Sequence, residues 1–382
     1  MEYKRLGDYI EPVDERNSKL EIKLSQGICN EKYFQDPRQV AENSAADKIV
    51  RRGYFAYNRA TTRNGEKISI AYREGPDCTV SSAYQVFRIK DEEKLNPKYL
   101  LMWYKRSDFD RYARFRSHGS AHEFFEYEEM CDVYLPLPDI ERQREIVEEY
   151  ETLSRRIRLN EQMIEKLEAT AQALYRKMFV DSIDKENLPE GWRMGTLGEL
   201  IESFSKSHKF NKQELIFLNT SDILDGQILL HDYSDIDTMP GQAKKVIANG
   251  DILFSEIRPA NKRYALVREN NPEDYVVSTK LMVLRMRGSQ YSNLKVYFYL
   301  TLPEVLDDLQ KQAEGASGTF PQITFDGNLK NREIIIGNKE IEEEWEHFLS
   351  TYFKCKWERE KENSKLSELQ SLLLAKMGNL KQ

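Results

Sequence analysis

Residues 146–178 read IVEEYETLSRRIRLNEQMIEKLEATAQALYRKM. Within them Ile146, Tyr150, Leu153, Ile157, Asn160, Ile164, Leu167, Ala171, Leu174 and Met178 follow one another in steps of three and four. That average of 3.5 residues is the seam of a coiled coil, because it keeps one stripe of an α-helix facing a partner helix. A second stretch has the same rhythm through Ile341, Trp345, Phe348, Tyr352, Cys355, Arg359, Glu362, Leu366, Leu369, Leu373 and Lys376. Neither stretch has an internal Pro or Gly. Each predicts a rod of about 40 residues, roughly 60 Å long at ~1.5 Å per residue. Two amphipathic helices lying on separate globules are the plainer alternative, and the length and charged outer faces argue against it.

The rods belong to a duplication. At an offset of 197, residues 48–98 run beside 245–295 without a gap, with identities that include Lys48/Lys245, Gly53/Gly250, Asn64/Asn261, Arg88/Arg285 and Lys98/Lys295. Leu6-Gly7 answers Leu197-Gly198, and Leu167, Leu174 and Met178 answer Leu366, Leu373 and Met377. Each copy has short β-like runs, such as Gly53–Tyr57 and Gly250–Phe254, followed by a helical stretch near 98–107 or 294–313. The expected fold is a mixed α+β (α/β) domain in two copies, with a long antiparallel two-helix coiled coil joining them and an approximate two-fold internal repeat. The expected bounds are 1–138 for the first domain, 139–182 for the first helix, 183–337 for the second domain and 338–382 for the second helix. Antiparallel rods are the economical choice, since each then leads directly to the opposite domain.

The chain has 382 residues, 57 basic and 64 acidic, for a net charge of −7. A uniformly basic, DNA-coating protein is excluded, but positive charge is bunched. Seven basic residues and one acid lie between Lys48 and Arg73, and four basic residues and no acid lie between Ile257 and Arg268. Local stripes of this kind hold phosphates even on an acidic chain. No apolar run approaches membrane-spanning length, and the first ten residues lack a secretory pattern, so a cytoplasmic protein is expected. Cys29, Cys78, Cys131 and Cys355 are scattered, without a CxxC pair. There is no G-x-G loop, no G-x-x-x-x-G-K-[ST] string and no Asn/Asp-Pro-Pro-Tyr/Phe string. His118 and His122 are four apart in a glycine-containing stretch without the Glu of a zinc helix, which reads as a polar loop rather than a metal site. A binding protein is therefore favoured over an enzyme.

The run Leu135-Pro-Leu-Pro-Asp-Ile-Glu-Arg-Gln143, continuing through Leu159–Leu167 and Ala171–Asp181, closely resembles the central region of type I restriction–modification specificity (S) subunits. Pro189-Glu-Gly-Trp192 followed by Leu197-Gly198, and Gly250–Ser255, are similar to the start and the strand motif of that family's second target-recognition domain. The likeness spans essentially the whole chain. Copy two departs from it where its helix begins, at Ile334–Asn338, without the Pro pair, and Gly53–Tyr57 is a loose form of the Gly250 motif. The resemblance implies a non-catalytic chain whose two domains each read one half of a bipartite site in double-stranded DNA. The helices would set the spacer and dock two modification (methyltransferase) subunits. Those partners would carry S-adenosylmethionine for adenine methylation, and restriction subunits would bring ATP and Mg for cleavage; no cofactor is expected in this chain.

DNA reading needs phosphate contacts for position and base-edge contacts for sequence. The candidates are Arg59, Arg63, Asn64 and Lys67 in the first basic loop and Arg258, Asn261, Lys262 and Arg263 in the second. Arg116, Ser117 and Ser120, and Thr319 in 315–322, lie in stretches where small residues let backbone N–H groups approach phosphate. Lys280 is a further candidate. The helix-pair seam is assigned to Ile146, Tyr150, Leu153, Ile157, Ile164, Leu167 and Leu174 with Trp345, Phe348, Tyr352, Leu366, Leu369 and Leu373. A non-enzymatic coiled-coil scaffold with two protein-binding globules, or an enzyme with unrecognised motifs, stays open on residues alone.

Overall fold

The two 40-residue helices begin at matched caps. In the computed structural model they span Ile140–Phe179 and Lys339–Gly378. Asp139 accepts a hydrogen bond from the Arg142 N–H at 2.9 Å, and Asn338 accepts one from the Ile341 N–H at 3.0 Å. A short polar side chain at this position satisfies an otherwise orphaned amide of the first turn. The Pro pair of copy one is thus dispensable, because Asn338 supplies the start signal 199 residues later. The structure describes residues 3–37, 44–60, 67–118, 123–181, 183–209, 212–288, 291–315 and 322–378.

The chain divides into two units, Met1–Glu161 with Arg359–Gln382, and Gln162–Glu358. Both long helices are cut by this division, so each unit holds half of each helix. Inside the first unit the halves run antiparallel: Gln370 donates to Ser154 Oγ at 2.6 Å, and Asn160 donates to Asn363 Oδ1 at 2.8 Å. Ile146 is buried with Met377, and Tyr150 and Leu374 border the same core. In the second unit Tyr175 and Phe179 meet Trp345, with ring centroids 5.5 and 5.8 Å apart.

The two expected seams differ in one place. Leu369 is 48% exposed, and Gln370 occupies the sheltered position through its bond to Ser154. Counting back from Met377, which is buried, the stripe passes through Leu373 and Gln370, one residue off the expected Leu369. Trp345 also does more than join two helices. It packs against Phe298 at 5.7 Å, so it ties the helix pair to the sheet domain of its own unit.

Each unit is built on a four-stranded antiparallel sheet of the same order. In the first it is Ile10–Val13, Tyr84–Ile89, Phe55–Asn58, Ile70–Tyr72; in the second, Ile201–Ser203, Leu281–Met286, Ile252–Ser255, Tyr264–Leu266. Registers repeat at the offset of 197: Phe55 faces Phe87 as Ile252 faces Leu284, and Lys48 faces Val80 as Lys245 faces Val277. The gap-free alignment fails across the basic loop. Tyr57 pairs with Ile70, but Phe254 pairs with Tyr264, so the first loop is three residues longer. The turn after the next strand recovers the difference, which is why a single offset hid it.

Gly53 and Gly250 both have φ of +92°, a left-handed turn into the central strand that favours glycine. The loose form of the motif in copy one is explained by the next residue. Asp251 is buried and accepts two hydrogen bonds from Arg285 at 2.7 Å, whereas the matching Tyr54 takes Arg88 over its ring at 5.9 Å.

The Leu-Gly match is a packing requirement. Leu6 and Leu197 are fully buried, and a Cβ on Gly198 would lie 2.8 Å from the Lys330 carbonyl oxygen. Gly198→Ala is expected to destabilise the protein by about 1–3 kcal/mol, because backbone must move to admit the methyl. Urea unfolding of the full chain would check this.

Candidate nucleic-acid interface

The two candidate loops of each copy meet at their bases. In the first unit Ala60 bridges Phe124, and the Phe125 N–H donates to the Arg59 carbonyl at 2.9 Å. In the second, Ile257 bridges Gln322, and the Ile323 N–H donates to the Glu256 carbonyl at 2.8 Å. The basic loop leaves the central strand of the sheet, and the small-residue loop returns beside it. Arg63, Asn64, Ser120 and Thr319 lie outside the described residues, as does His122.

In the first unit the described candidates are largely engaged. Arg59 donates to Glu126 at 3.1 Å and to the Ala83 carbonyl at 3.3 Å, with its guanidinium 5.8 Å from the Phe124 ring centre. Arg116 is bound to Glu129. Ser117 is buried and donates to the Ala113 carbonyl at 2.6 Å, closing the helix Ser107–Phe115. Its hydroxyl is therefore committed to the helix end and largely shielded. Lys67 pairs with Glu31 at 3.0 Å on the surface, a contact that water weakens to about 0–1 kcal/mol. His118 is held by two backbone hydrogen bonds with Phe124. Among the described residues no cluster of His, Cys, Asp or Glu could hold a metal ion.

The second unit shows the loop in full. Pro259–Asn261 form one 3-10 turn, and the residues on either side, Arg258 (φ 47°) and Lys262 (φ 53°), are both left-handed. Such a conformation is uncommon for a residue with a side chain and persists only where the surroundings enforce it. Here they do. The Ala260 N–H donates to Gln310 Oε1 at 3.1 Å, the Asp225 N–H donates to the Lys262 carbonyl at 2.8 Å, and Pro259 is buried. Arg263 donates to the carbonyls of Ser221 and Ile223, both at 2.9 Å. Lys262 pairs with Asp225 at 3.2 Å, and Asp225 also accepts from the Tyr264 hydroxyl at 2.7 Å.

Lys280 reaches Gln322 at 3.3 Å and Glu256 at 3.5 Å, so it joins the two loops. Beneath it Lys245 donates to the carbonyls of Thr279 and Leu281, and burial lowers the pKa of its ammonium. Arg258 and Asn261 are exposed, and among the described residues neither side chain has a hydrogen-bond or ion-pair partner. Sequence reasoning missed Gln310, Gln322 and Asp225, the groups that hold the loop. They lie about 35 to 65 positions from it with no shared motif, so only the fold reveals them.

Arg263 is a brace in the free protein. Arg263→Ala is expected to cost about 1.5–3 kcal/mol in chemical unfolding without any DNA, the usual worth of charge-assisted hydrogen bonds.

Residues 45–169 and 189–368 match the family model described as the type I restriction modification DNA specificity domain. The HindI specificity subunit of Haemophilus influenzae is 39% identical over 153 residues, which is 40% of this chain and 33% of that protein. The chain thus spans about a third of the length of this curated relative in the matched region. A type I restriction-modification S subunit from M. genitalium has a TM-score of 0.55 at 12% identity, covering 99% of this chain and 96% of the other. A chain from a structure of type I R-M complex assembly has a TM-score of 0.47 at 20% identity, over 98% and 97% of the two chains. The M. genitalium S subunit thus shares the fold of this chain over nearly its whole length. With matches covering most of both copies, the chain belongs to the type I restriction modification DNA specificity domain family.

Proposed function

We propose that this chain is the DNA sequence-recognition subunit of a type I restriction–modification complex, each domain reading one half of a bipartite site in double-stranded DNA. One observation carries the reading: both units join a basic loop to a small-residue loop at the same place on the same sheet. Two equivalent frames with different loops are what an asymmetric two-part site requires. Lys67, Lys262 and Lys280 serve as phosphate contacts, since each is held only by weak surface pairs that a phosphate can replace. The undescribed Arg63, Asn64, Ser120 and Thr319 complete the DNA-facing loops.

The helix pair sets the unspecified spacer and docks two modification subunits. Support for docking comes from the first unit, where Leu369 and Leu372 are 48% and 58% exposed and border a groove of about 710 Å³ with Leu153 and Leu373. That exposure is costly in isolation and sensible under a partner. S-adenosylmethionine belongs to those modification subunits, which methylate adenine, and ATP with Mg to restriction subunits; this chain supplies no cofactor and no catalysis. The system works in the cytoplasm. Among the described residues no helix is long and apolar enough to cross a membrane.

Inserting one heptad into each long helix is expected to widen the spacer of the methylated site by about three base pairs, with both half-sites unchanged. Seven residues add ~10 Å of helix against ~3.4 Å per base pair. Mapping of methylated adenines would show it, and an unaltered spacer would overturn the ruler. Lys262→Ala and Lys280→Ala should each weaken all duplexes alike and flatten the slope of log affinity against log salt by about 1. A binding titration at several salt concentrations would measure this.

A further inference from the structure

We propose that Arg258 and Asn261 are the base-reading pair of the second domain, Arg258 taking a guanine and Asn261 an adenine in the major groove. The inference rests on the DNA-recognition reading above and deepens it. Around this loop the polar groups divide into those already occupied and those left open. Arg263 is occupied by two carbonyls, Lys262 by Asp225, Lys280 by Gln322 and Glu256, and Gln310 by the Ala260 amide. Arg258 and Asn261 are exposed and hold nothing among the described residues. They are also the two residue types whose side chains match base edges with paired hydrogen bonds, Arg to guanine O6 and N7, Asn to adenine N6 and N7.

The backbone supports this division. The left-handed Arg258 and Lys262 bracket the turn, which is closed by the Asn261 N–H to the Arg258 carbonyl at 2.9 Å and the Lys262 N–H to the Pro259 carbonyl at 3.0 Å. Ser255 adds a further clamp: its hydroxyl donates to the Ile257 carbonyl and accepts from the Ile257 N–H, both at 3.0 Å. Strain of this kind, paid for by surrounding hydrogen bonds, presents two side chains in a fixed direction before any ligand arrives. The turn also limits the target. At ~2 Å of rise per residue, three residues separate the two side chains by about 6 Å, so the guanine and the adenine lie within about two to three base-pair steps of each other.

The test uses the full chain in its native host, with methylated adenines mapped across the genome and purified full-length protein titrated with matched and mismatched duplexes. Arg258→Gly keeps the left-handed backbone free of strain while removing the guanidinium. Asn261→Ala removes the amide from an exposed position. Arg258→Lys keeps the charge but not the fork. The expected result is loss of discrimination, roughly 5- to 150-fold, at one G·C position for R258G and one A·T position for N261A. Both positions should fall in the same half-site, with the other half and the spacer unchanged, and R258K should behave like R258G at its position. A wild-type protein that reads a bipartite site, with variants that read the identical site, would overturn the base-reading assignment and leave the recognition reading standing. Uniform weakening on every duplex would overturn it too, by making the pair phosphate contacts. A wild-type chain that directs no bipartite methylation would overturn the recognition reading, and this inference with it.

Discussion

Each long helix is fastened to its own domain by a polar side chain, four residues after the cap, that bonds into a buried site. In the first unit this is Gln143, fully buried, which accepts from the Asn96 N–H at 2.8 Å and donates to the carbonyls of Lys94 and Pro138 at 3.0 and 2.9 Å. In the second it is Glu342, which binds the fully buried Lys295 and accepts from the Gly337 N–H at 2.9 Å. Lys295 lies 4.0 Å from the centre of the Phe179 ring, and burial pulls the pKa of its ammonium down against the pull of Glu342. Buried groups of this kind are expensive to leave unpaired, so they tolerate one geometry. Without them the direction in which each helix leaves its sheet would rest on apolar packing and on exposed pairs such as Arg144 with Glu93 and Arg176 with Glu304, which are far less selective.

Where the first unit's share of the two helices ends, the seam turns polar. Asn160, 2% exposed, donates to Glu362 at 3.1 Å as well as to Asn363, and Arg156 reaches Glu362 at 2.7 Å. A leucine seam can slip by a turn at modest cost. A buried Asn with its partners on the facing helix cannot, because slippage would strand its amide. The layer therefore exchanges some stability for a single register. It also explains why the residue matching Asn160 in the other helix, Arg359, is polar: its guanidinium bonds Glu362 at 2.8 Å within the same layer.

The architecture was legible because it depends on repetition. A 3.5-residue period and a duplicated Gly-strand motif survive in sequence, and they led to two equal helices and two equal sheets. What was lost is positional detail at single residues. Leu369 fitted the period better than Gln370, yet the hydrogen bond from Gln370 to Ser154 decides which of them faces the partner. The compensated three-residue shift after Asn58 was invisible because one offset matches strands on both sides of it. At the interface, residue type was legible and employment was not. Arg59, Ser117 and Arg263 read as DNA contacts in a string of letters, and the fold shows each already bonded: Arg59 and Arg263 to groups 24 to 67 positions away, Ser117 to the Ala113 carbonyl one helical turn back.

The same separation between frame and loop lets one fold carry two different loops. Strand registers are conserved between copies, as are the glycine turn and the bridge joining the two loops. The loop itself changes in length by three residues, and its bracing changes with it. Arg59 sits against Glu126 and Phe124, whereas Arg258 has no partner among the described residues and lies on a turn braced by Arg263 and Gln310. Because Arg263 and the Ala260 amide are held by groups outside the loop, the exposed tip can vary without unfolding what lies beneath it. Two copies of one frame thus present different surfaces through local differences in their loops.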